Sequence, residues 1–220
     1  MSVGLSALVM AKAPRPGTVK TRMQPLLGAD GCAALQAALI GHAARWAVEV
    51  APGAAYLAYG PDGAVEEELL PHVPDGVELF PDGEGDLGEK LAHASAHVLG
   101  ERPGPLLVVG TDMPLLARAH ARGAVEALGE ADVCFGPALD GGYWIVGLSR
   151  PRPELFALGA AWGGAEVLAR SVELADGAGL EVALLGFERD LDDADDARAL
   201  LREPSLAPRI AALLAPAAAA

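Results

Sequence analysis

Four segments of this chain place charged side chains beside glycine or proline, as loops that bind ligands do. They read AKAPRPGTVKTR from Ala11, GTDMPLL from Gly110, PALDGGYW from Pro137 and RDLDDADD from Arg189. The first segment is basic, and each of the other three carries at least one carboxylate. Because basic groups bind phosphate oxygens and carboxylates bind hard cations, the set indicates chemistry on a phosphate-bearing ligand.

The basic segment holds Lys12, Arg15, Lys20 and Arg22 within eleven residues, with Gly17 and two prolines between them. An irregular turn of this kind brings backbone N–H groups close to a ligand, and Lys12, Lys20 and Arg22 can then neutralise its phosphates. The spacing of Gly17 and Lys20 excludes a Walker A loop. The alternative is an ordinary surface loop whose charges are solvated.

Asp112 lies just past the apolar run PLLVVG, a position that suits a Mg²⁺ ion (or Mn²⁺) bridging phosphate oxygens. The alternative is a helix N-cap ahead of Pro114. A carboxylate there needs a cationic neighbour, and we expect Lys20 or Arg22 to supply it when no ligand is bound. In the acidic segment, Asp190 or Asp192 could reach the same metal, while the other carboxylates cap the helix that follows.

The segment ALDGGYW combines Asp140 and Tyr143 with two flexible glycines, Gly141 and Gly142. The glycines allow a ligand to approach the backbone, and the polar side chains could bind the hydroxyl groups of an acceptor. The alternative is a tight turn between two strands, which the Asp-Gly pair also favours.

The run Gly83–Gly88 matches the glycine pattern of dinucleotide-binding folds. Two residues separate its first glycine from the preceding strand, whereas that pattern needs a direct turn. Glu84 and Asp86 would repel a pyrophosphate. We therefore expect neither NAD nor NADP to bind.

Short apolar runs alternate with helical patterns along the chain, which predicts an α/β domain with a mostly parallel sheet. The predicted strands are Leu5–Met10, Ala55–Tyr59, Val77–Phe80, Leu106–Val109, Val133–Gly136, Trp144–Gly147 and Glu181–Leu185. The predicted helices are Asp30–Val50, Ala64–Leu70, Leu87–Leu99, Ala117–Leu128 and Ala165–Ala175. Ligands of such sheets bind at the carboxyl ends of strands, where the four charged segments fall.

The composition limits the classes of function. The 220 residues are 52% hydrophobic and 21% charged, with a formal net charge of −14, which excludes a disordered chain and argues against nucleic-acid or membrane partners. Residues 1–60 nevertheless carry a net +3, which marks the basic segment as a local anion site. Two cysteines without metal or disulfide spacing indicate a reduced, cytoplasmic protein.

No stretch reaches the roughly 20 apolar residues of a membrane span. The apolar opening lacks a preceding basic residue and is interpreted as a buried strand and not as a signal peptide. We expect one domain over residues 1–215 and a disordered alanine-rich tail at 216–220.

The charged segments, together with GEGDLGEKL from Gly83, resemble in order and spacing a bacterial family with the glycosyltransferase-A fold. That family is known as a domain of unknown function and as a radical-SAM/selenodomain-associated transferase. The likeness runs from about Leu5 to Leu200. More distantly, the sequence is similar to molybdenum-cofactor guanylyltransferase and phospholactate guanylyltransferase. The resemblance implies a single-domain three-layer α/β sandwich with a mostly parallel mixed sheet.

The same resemblance implies the roles of individual residues. The phosphates would lie against Ala11, Lys12, Gly17, Lys20 and Arg22, and the base and ribose beside Gly85, Leu87 and Gly88. Asp112 would bind the metal, with Asp192 as a second ligand. The acceptor would face Asp140, Gly141, Gly142, Tyr143 and Trp162.

The sequence departs from the family pattern at two places. The usual Trp-Ser-Thr is Trp162-Gly163-Gly164, and Asp193 replaces a threonine after the second acidic residue. The first departure removes two hydroxyl groups from the acceptor side.

Three functions agree with these residues. In a nucleotidyltransferase, which the basic loop favours, an acceptor phosphate or carboxylate would attack a nucleoside triphosphate and release pyrophosphate, with Lys20, Arg22 and Asp112 as catalytic groups. In a glycosyltransferase, a nucleotide-sugar would donate its sugar to a small-molecule acceptor. A protein that binds nucleotides without catalysis is the third.

Overall fold

The computed structural model describes residues 4–60 and 66–215, which form one seven-stranded sheet with helices packed on it. The strands are β1 (Ser6–Ala11), β2 (Ala55–Tyr59), β3 (Val77–Pro81), β4 (Leu106–Val109), β5 (Val133–Pro137), β6 (Tyr143–Leu148) and β7 (Val182–Leu184). Their order is β3-β2-β1-β4-β6-β5-β7. Every neighbouring pair is parallel except the two that involve β6.

The helices are α1 (Gln24–Val50), α2 (Glu66–Leu69), α3 (Leu87–Glu101), α4 (Arg118–Ala127), α5 (Val167–Gly177), α6 (Ala194–Leu200) and α7 (Pro208–Leu214). Helix α1 contacts β1 and β2, whereas α3 contacts β1 and β4. Since β2 and β4 lie on opposite sides of β1, right-handed crossovers place α1 and α3 on opposite faces of the sheet. The fold is therefore the layered α/β sandwich that the resemblance implied.

Burial explains which strands occupy the centre. Strands β1, β4, β5 and β6 are almost wholly buried, as their unbroken apolar runs require. The edge strands β3 and β7 are mostly half-buried or exposed. In the register, Val9 pairs with Val109 and Val109 with Ile145. The carboxyl ends of β1, β4 and β5 and the start of β6 consequently meet at one edge.

Helix α1 is buried on two sides and is the longest element. One side packs on the sheet through Ile40, Ala43 and Trp46, and the other forms a second core with α7 through Leu35 and Leu39. Together with the preceding turn, α1 forms the segment Thr21–Val50, which is long and apolar enough to cross a membrane. The expectation from the sequence, that no stretch is long enough, is therefore wrong. Of the segment's most apolar window, 56% is buried inside the protein, so we interpret it as a core helix.

The strands and helices agree closely with the sequence predictions. All seven strands are confirmed, each within one residue of its expected ends. Helix α1 begins earlier than expected, but a non-helical Gly28 with φ 68° kinks it two residues before the predicted start. Within the described residues, the predicted Ala64–Leu70 helix covers only Glu66–Leu69 before a 3₁₀ turn. Helix α7 was not predicted, and 216–220 lie outside the described residues.

Gly88, in the first turn of α3, lies where the helix touches the 3₁₀ turn Pro153–Phe156. A Cβ atom at this position would be 2.0 Å from the carbonyl oxygen of Phe156 and 2.7 Å from Nε1 of Trp162. Near the end of the same helix, a Cβ atom at Gly100 would have no atom within 4 Å of it. One helix thus offers a glycine that cannot be replaced and a matched one that can.

We expect Gly88→Ala to lower the free energy of unfolding by about 1–3 kcal/mol, because the backbone must move to accept the methyl group. Gly100→Ala should raise it by about 0.5–1 kcal/mol, because alanine costs less entropy in a helix. Urea unfolding followed by circular dichroism measures both. Shifts of the same sign would contradict the tight contact at Gly88.

Candidate functional site

The edge of the sheet where β1, β4 and β5 end carries two adjoining clefts. The first, about 560 Å³, is lined by Ala11, Lys12, Lys20, Arg22 and Lys90 among others, and we call it the basic cleft. The second, about 340 Å³, is lined by Asp140, Tyr143, Trp144, Trp162 and Asp190 among others, and we call it the aromatic cleft. Five residues line both clefts: Met10, Leu87, Gly110, Asp112 and Asp192. The two cavities therefore meet beside two carboxylates.

The basic loop divides its charges between the cleft and a structural ion pair. Lys12, Lys20 and Arg22 line the basic cleft. Arg15 instead binds Glu68 through two hydrogen bonds, of 2.8 Å from Nε and 2.7 Å from Nη2. Gly17 lines neither cleft and adopts φ 83°, so it shapes the loop. Three of the four basic residues thus face the place where phosphates were expected.

Lys20 joins the two carboxylates shared by the clefts. Its Nζ lies 2.8 Å from Oδ1 of Asp112 and 3.8 Å from Oδ1 of Asp192, and it donates a hydrogen bond to the carbonyl oxygen of Leu191. The side chain is only 5% exposed. A nearly buried ammonium group needs such compensation. Nη1 of Arg22 approaches Asp192 from outside, at 3.1 Å from Oδ2.

A hydrogen-bond chain that starts in α1 orients Asp112. Nε2 of the buried Gln36 donates to the carbonyl oxygen of Lys12 at 3.3 Å and to Oγ1 of Thr111 at 3.1 Å. Because that hydroxyl accepts from Gln36, its own hydrogen is available to Oδ1 of Asp112, 3.1 Å away. The next helix, α4, has Ala117 as its N-cap. Asp112 is therefore not a helix cap, and the alternative weighed from the sequence is wrong.

On the aromatic side, Asp192 converges with two further carboxylates. Asp140, Asp190 and Asp192 each place one carboxylate oxygen within 4.8 Å of the others, close enough to share a metal ion. Burial, followed by the charges of Asp140 and Asp192, raises the pKa of Asp190 to about 6. Burial also raises the pKa of Asp192, with Lys20 acting in the opposite direction. A cation bound between these carboxylates would offset their mutual repulsion.

The rest of the acidic segment is structural. Asp193 is the N-cap of α6 and accepts from the N–H groups of Asp195 and Asp196 at 2.8 and 3.1 Å. Asp196 accepts from the N–H of Asp192 and pairs with Arg189. A threonine could also serve as such a cap. The departure at Asp193 therefore leaves the position of Asp192 intact.

The aromatic cleft uses its residues differently from the expectation. The ring of Tyr143 lines the cavity, but its hydroxyl is buried beside Ser171 and does not face a ligand. Nε1 of Trp162 donates to the carbonyl oxygen of Phe156 at 3.3 Å. A Cβ at Gly141 would lie 2.1 Å from the carbonyl oxygen of Ala165, so this glycine is needed for packing. Gly142 donates to Oδ1 of Asp140 at 2.8 Å and lines the cleft.

The glycine-rich run before α3 does not form an open anion site. The side chain of Asp86 accepts from the N–H of Glu89 at 3.0 Å, and the side chain of Glu89 accepts from the N–H of Asp86 at 2.9 Å. These carboxylates close the helix N-terminus. Gly85 and Gly88 line neither cleft, whereas Leu87 lies between the two and is 46% exposed.

Sequence reasoning missed three side chains of the site: Gln36, Thr111 and Lys90. Lys90 lies in the basic cleft with Nζ 3.8 Å from Oδ1 of Asp82. Gln36 had a detectable signal, because it is a lone polar residue within the apolar run CAALQAALI. A buried glutamine in such a run needs partners on a neighbouring loop.

Comparison with known proteins gives a family and a fold. Residues 43–164 match the family DUF2064, described as an uncharacterized protein conserved in bacteria. No curated protein matches the sequence at a significant level. Among solved structures, a candidate nucleotide-diphospho-sugar transferase of Desulfovibrio desulfuricans G20 is 28% identical, with a TM-score of 0.87 over 100% of this chain and 96% of its own.

Two more distant structures share the fold. Rv0371c of Mycobacterium tuberculosis H37Rv is 23% identical, with a TM-score of 0.53 over 92% of this chain and 100% of its own, and has also been solved with manganese. The inositol-1-phosphate CTP transferase of T. maritima is 13% identical, with a TM-score of 0.51 over 98% of this chain and 97% of its own. The family match, which spans more than half of the chain, and the Desulfovibrio structure lead to one conclusion: this protein belongs to the DUF2064 family and has the nucleotide-diphospho-sugar transferase fold.

Proposed function

We propose that this protein is a transferase that uses a nucleotide donor and a divalent cation. The observation that carries the proposal is the meeting of a basic and an aromatic cleft at Asp112 and Asp192. A donor bound in one cleft would present its reacting bond to an acceptor bound in the other. The 28% identical Desulfovibrio structure, named for a nucleotide-diphospho-sugar transferase, supports this assignment.

The donor phosphates would lie against Lys12, Lys20 and Arg22. The three side chains line one cavity, and Lys20 is held at its inner end by two carboxylates. Phosphoryl and glycosyl transfer from nucleotides both leave negative charge on a phosphate group. Preorganised cations stabilise that charge without having to reorganise during the reaction.

The carboxylates fit Mg²⁺ or Mn²⁺, since both ions prefer hard oxygen ligands. Asp112 and Asp192 would hold the ion at the junction of the clefts, where both now approach Nζ of Lys20. Asp140 and Asp190, which cluster with Asp192, would be further oxygen donors. The ion would neutralise the donor phosphates when bound. The manganese complex of the Mycobacterium relative supports a divalent ion in this fold. Cys32 and Cys134 are both buried free thiols, which agrees with the reducing environment of the cytoplasm.

Transfer of a sugar from a nucleotide-diphospho-sugar is the better-supported reaction. Four carboxylates line the aromatic cleft, which would repel the phosphate or carboxylate acceptor that nucleotidyl transfer requires. Nucleotidyl transfer is the second candidate, and the three basic residues that suit a triphosphate favour it. The two reactions release different products: a nucleoside diphosphate in the first and pyrophosphate in the second.

We expect Asp112→Asn to fold like the parent and to weaken Mg²⁺-dependent nucleotide binding by about 100-fold. Loss of a residue that only supports a metal ligand already costs about 10- to 100-fold, and Asp112 is proposed to bind the ion itself. Calorimetric titration with nucleoside triphosphates and nucleotide-sugars, with and without Mg²⁺, measures this. The matched control is Asp75→Asn. Asp75 lies in an exposed turn before β3, at the ends of the strands that point away from the two clefts. NAD serves as the ligand that should not bind, because the side chain of Asp86 occupies the N-terminus of α3. Parent-like binding by the Asp112 variant would refute the metal site.

Lys20 offers a second test, because its removal should raise the affinity for a metal ion and lower the affinity for a nucleotide. In Lys20→Met the ammonium group no longer competes for Asp112 and Asp192, so Mn²⁺ alone should bind about tenfold more tightly, equivalent to ~1.4 kcal/mol. Nucleotide without metal should bind more weakly. Electron paramagnetic resonance of free Mn²⁺ and calorimetry measure the two affinities. Arg118→Met, which breaks an exposed pair with Glu49, is the control, and weaker Mn²⁺ binding in the Lys20 variant would contradict the assignment.

A further inference from the structure

We propose that the aromatic cleft accepts a molecule with an apolar, ring-sized body and an uncharged or cationic head that donates hydrogen bonds, and that it excludes anions. The role of this molecule as the acceptor rests on the proposed transferase function. The selectivity itself follows from the cavity alone. It narrows the acceptor to an alcohol or an amine.

The walls of the cleft set the shape and polarity of the body. Apart from its carboxylates, the cavity of about 340 Å³ is lined by aliphatic, methionine and aromatic side chains and by glycines. Leu91, Met113 and Trp144 form the buried part of the wall. Leu87 and Trp162 are more exposed to solvent and lie nearer the entrance. A cavity of this volume encloses a small ring system, and its apolar walls reward burial of the ring.

The hydrogen-bonding groups of the cleft are almost all acceptors. The hydroxyl of Tyr143 is buried beside Ser171, Nε1 of Trp162 donates to Phe156, and Nε1 of Trp144 donates to the carbonyl oxygen of Gly186 at 3.3 Å. Every side-chain donor among the described residues of the lining is therefore turned away. The side chains that can reach a ligand through polar atoms are the carboxylates. A ligand must then supply the hydrogens, as a hydroxyl or an ammonium group does and a carboxylate cannot.

The charges of the cleft act in the same direction. Of the residues in the described part of the chain that line it, none is Lys, Arg or His. Lys20 and Arg22 reach Asp112 and Asp192 from the basic cleft, but no ion pair with Asp140 or Asp190 occurs among the described residues. Four carboxylates against these two basic groups leave the metal-free cleft with negative charge. An anionic head would meet repulsion and no side-chain donor.

The chemistry of such an acceptor balances with a nucleotide-sugar donor. The hydroxyl oxygen or amine nitrogen forms a bond to the anomeric carbon, whose bond to the phosphate oxygen breaks. That electron pair leaves with the nucleoside diphosphate, which Lys12, Lys20 and Arg22 stabilise. A hydroxyl group or a neutral amine gives one proton to a carboxylate of the cleft, which passes it to solvent. An ammonium head first loses a proton to solvent, because only the neutral amine has a free electron pair. No oxidant, reductant or further reactant is needed.

Three indoles that share one ring and differ in the charge of the head test the proposal. Tryptamine is cationic, tryptophol is neutral and indole-3-acetate is anionic at about neutral pH. We expect the first two to bind and indole-3-acetate to bind at least about tenfold more weakly, as like-charge repulsion requires. Calorimetry and saturation-transfer NMR on the parent protein, with and without a bound nucleotide, measure this. Asp140→Asn should reduce the preference for tryptamine over indole-3-acetate by about tenfold, whereas Asp75→Asn should not.

The outcomes separate this inference from the proposed function. Binding of indole-3-acetate as tight as that of tryptamine, or no binding of any of the three, overturns the inference. An unchanged preference in Asp140→Asn does so as well, provided that circular dichroism shows the variant folded. Because the indoles are also titrated without nucleotide, charge selectivity can hold even if no nucleotide binds. In that case the transferase function fails and the selectivity of the cleft stands.

Discussion

The ammonium group of Lys20 is the point on which the site depends. It is almost completely removed from water, so its charge has to be met by Asp112, Asp192 and the carbonyl oxygen of Leu191. These groups belong to the loops that follow β4 and β7, while Lys20 belongs to the loop that follows β1. One buried charge therefore holds together three segments that are far apart in sequence. Its left-handed backbone, with φ 47°, is the only positive φ at a non-glycine position among the described residues.

This arrangement separates charge within a strongly acidic protein. The chain has a net charge of −14, yet one cavity at the sheet edge is lined by Lys12, Lys20, Arg22 and Lys90. The adjoining cavity is lined by carboxylates and aromatic rings. The carboxylates of Asp112 and Asp192 lie on the boundary. A ligand with a phosphate end and an uncharged end would thus be oriented before any bond changes.

The sequence predicted most of the backbone and the location of the site, because strands buried in the centre of a sheet have unbroken apolar runs and their loops carry the polar residues. It could not predict directions of side chains. Arg15 belongs to the same basic run as Lys12, Lys20 and Arg22, and only the structure shows that a bidentate pair with Glu68 turns it away from the cleft. The hydroxyl of Tyr143 was expected in the acceptor cavity and is buried. Helix α7 went unpredicted because its reason for forming is tertiary: Ile210 and Leu214 complete a core with α1.

The reversal of one strand has a consequence for how this protein can diverge. Because β6 runs antiparallel to β4 and β5, the turn between β5 and β6 returns to the site edge, and residues 138–144 supply much of the aromatic cleft from a single hairpin. The basic cleft draws instead on loops after parallel strands and on α1 and α3. A substitution at an exposed hairpin position that lines the aromatic cleft, such as Asp140, can alter what that cavity admits without disturbing the hydrogen bonds that orient Asp112. The two clefts can therefore change independently: the basic cleft is constrained by its contacts with the core helices, and the aromatic cleft is free to specialise.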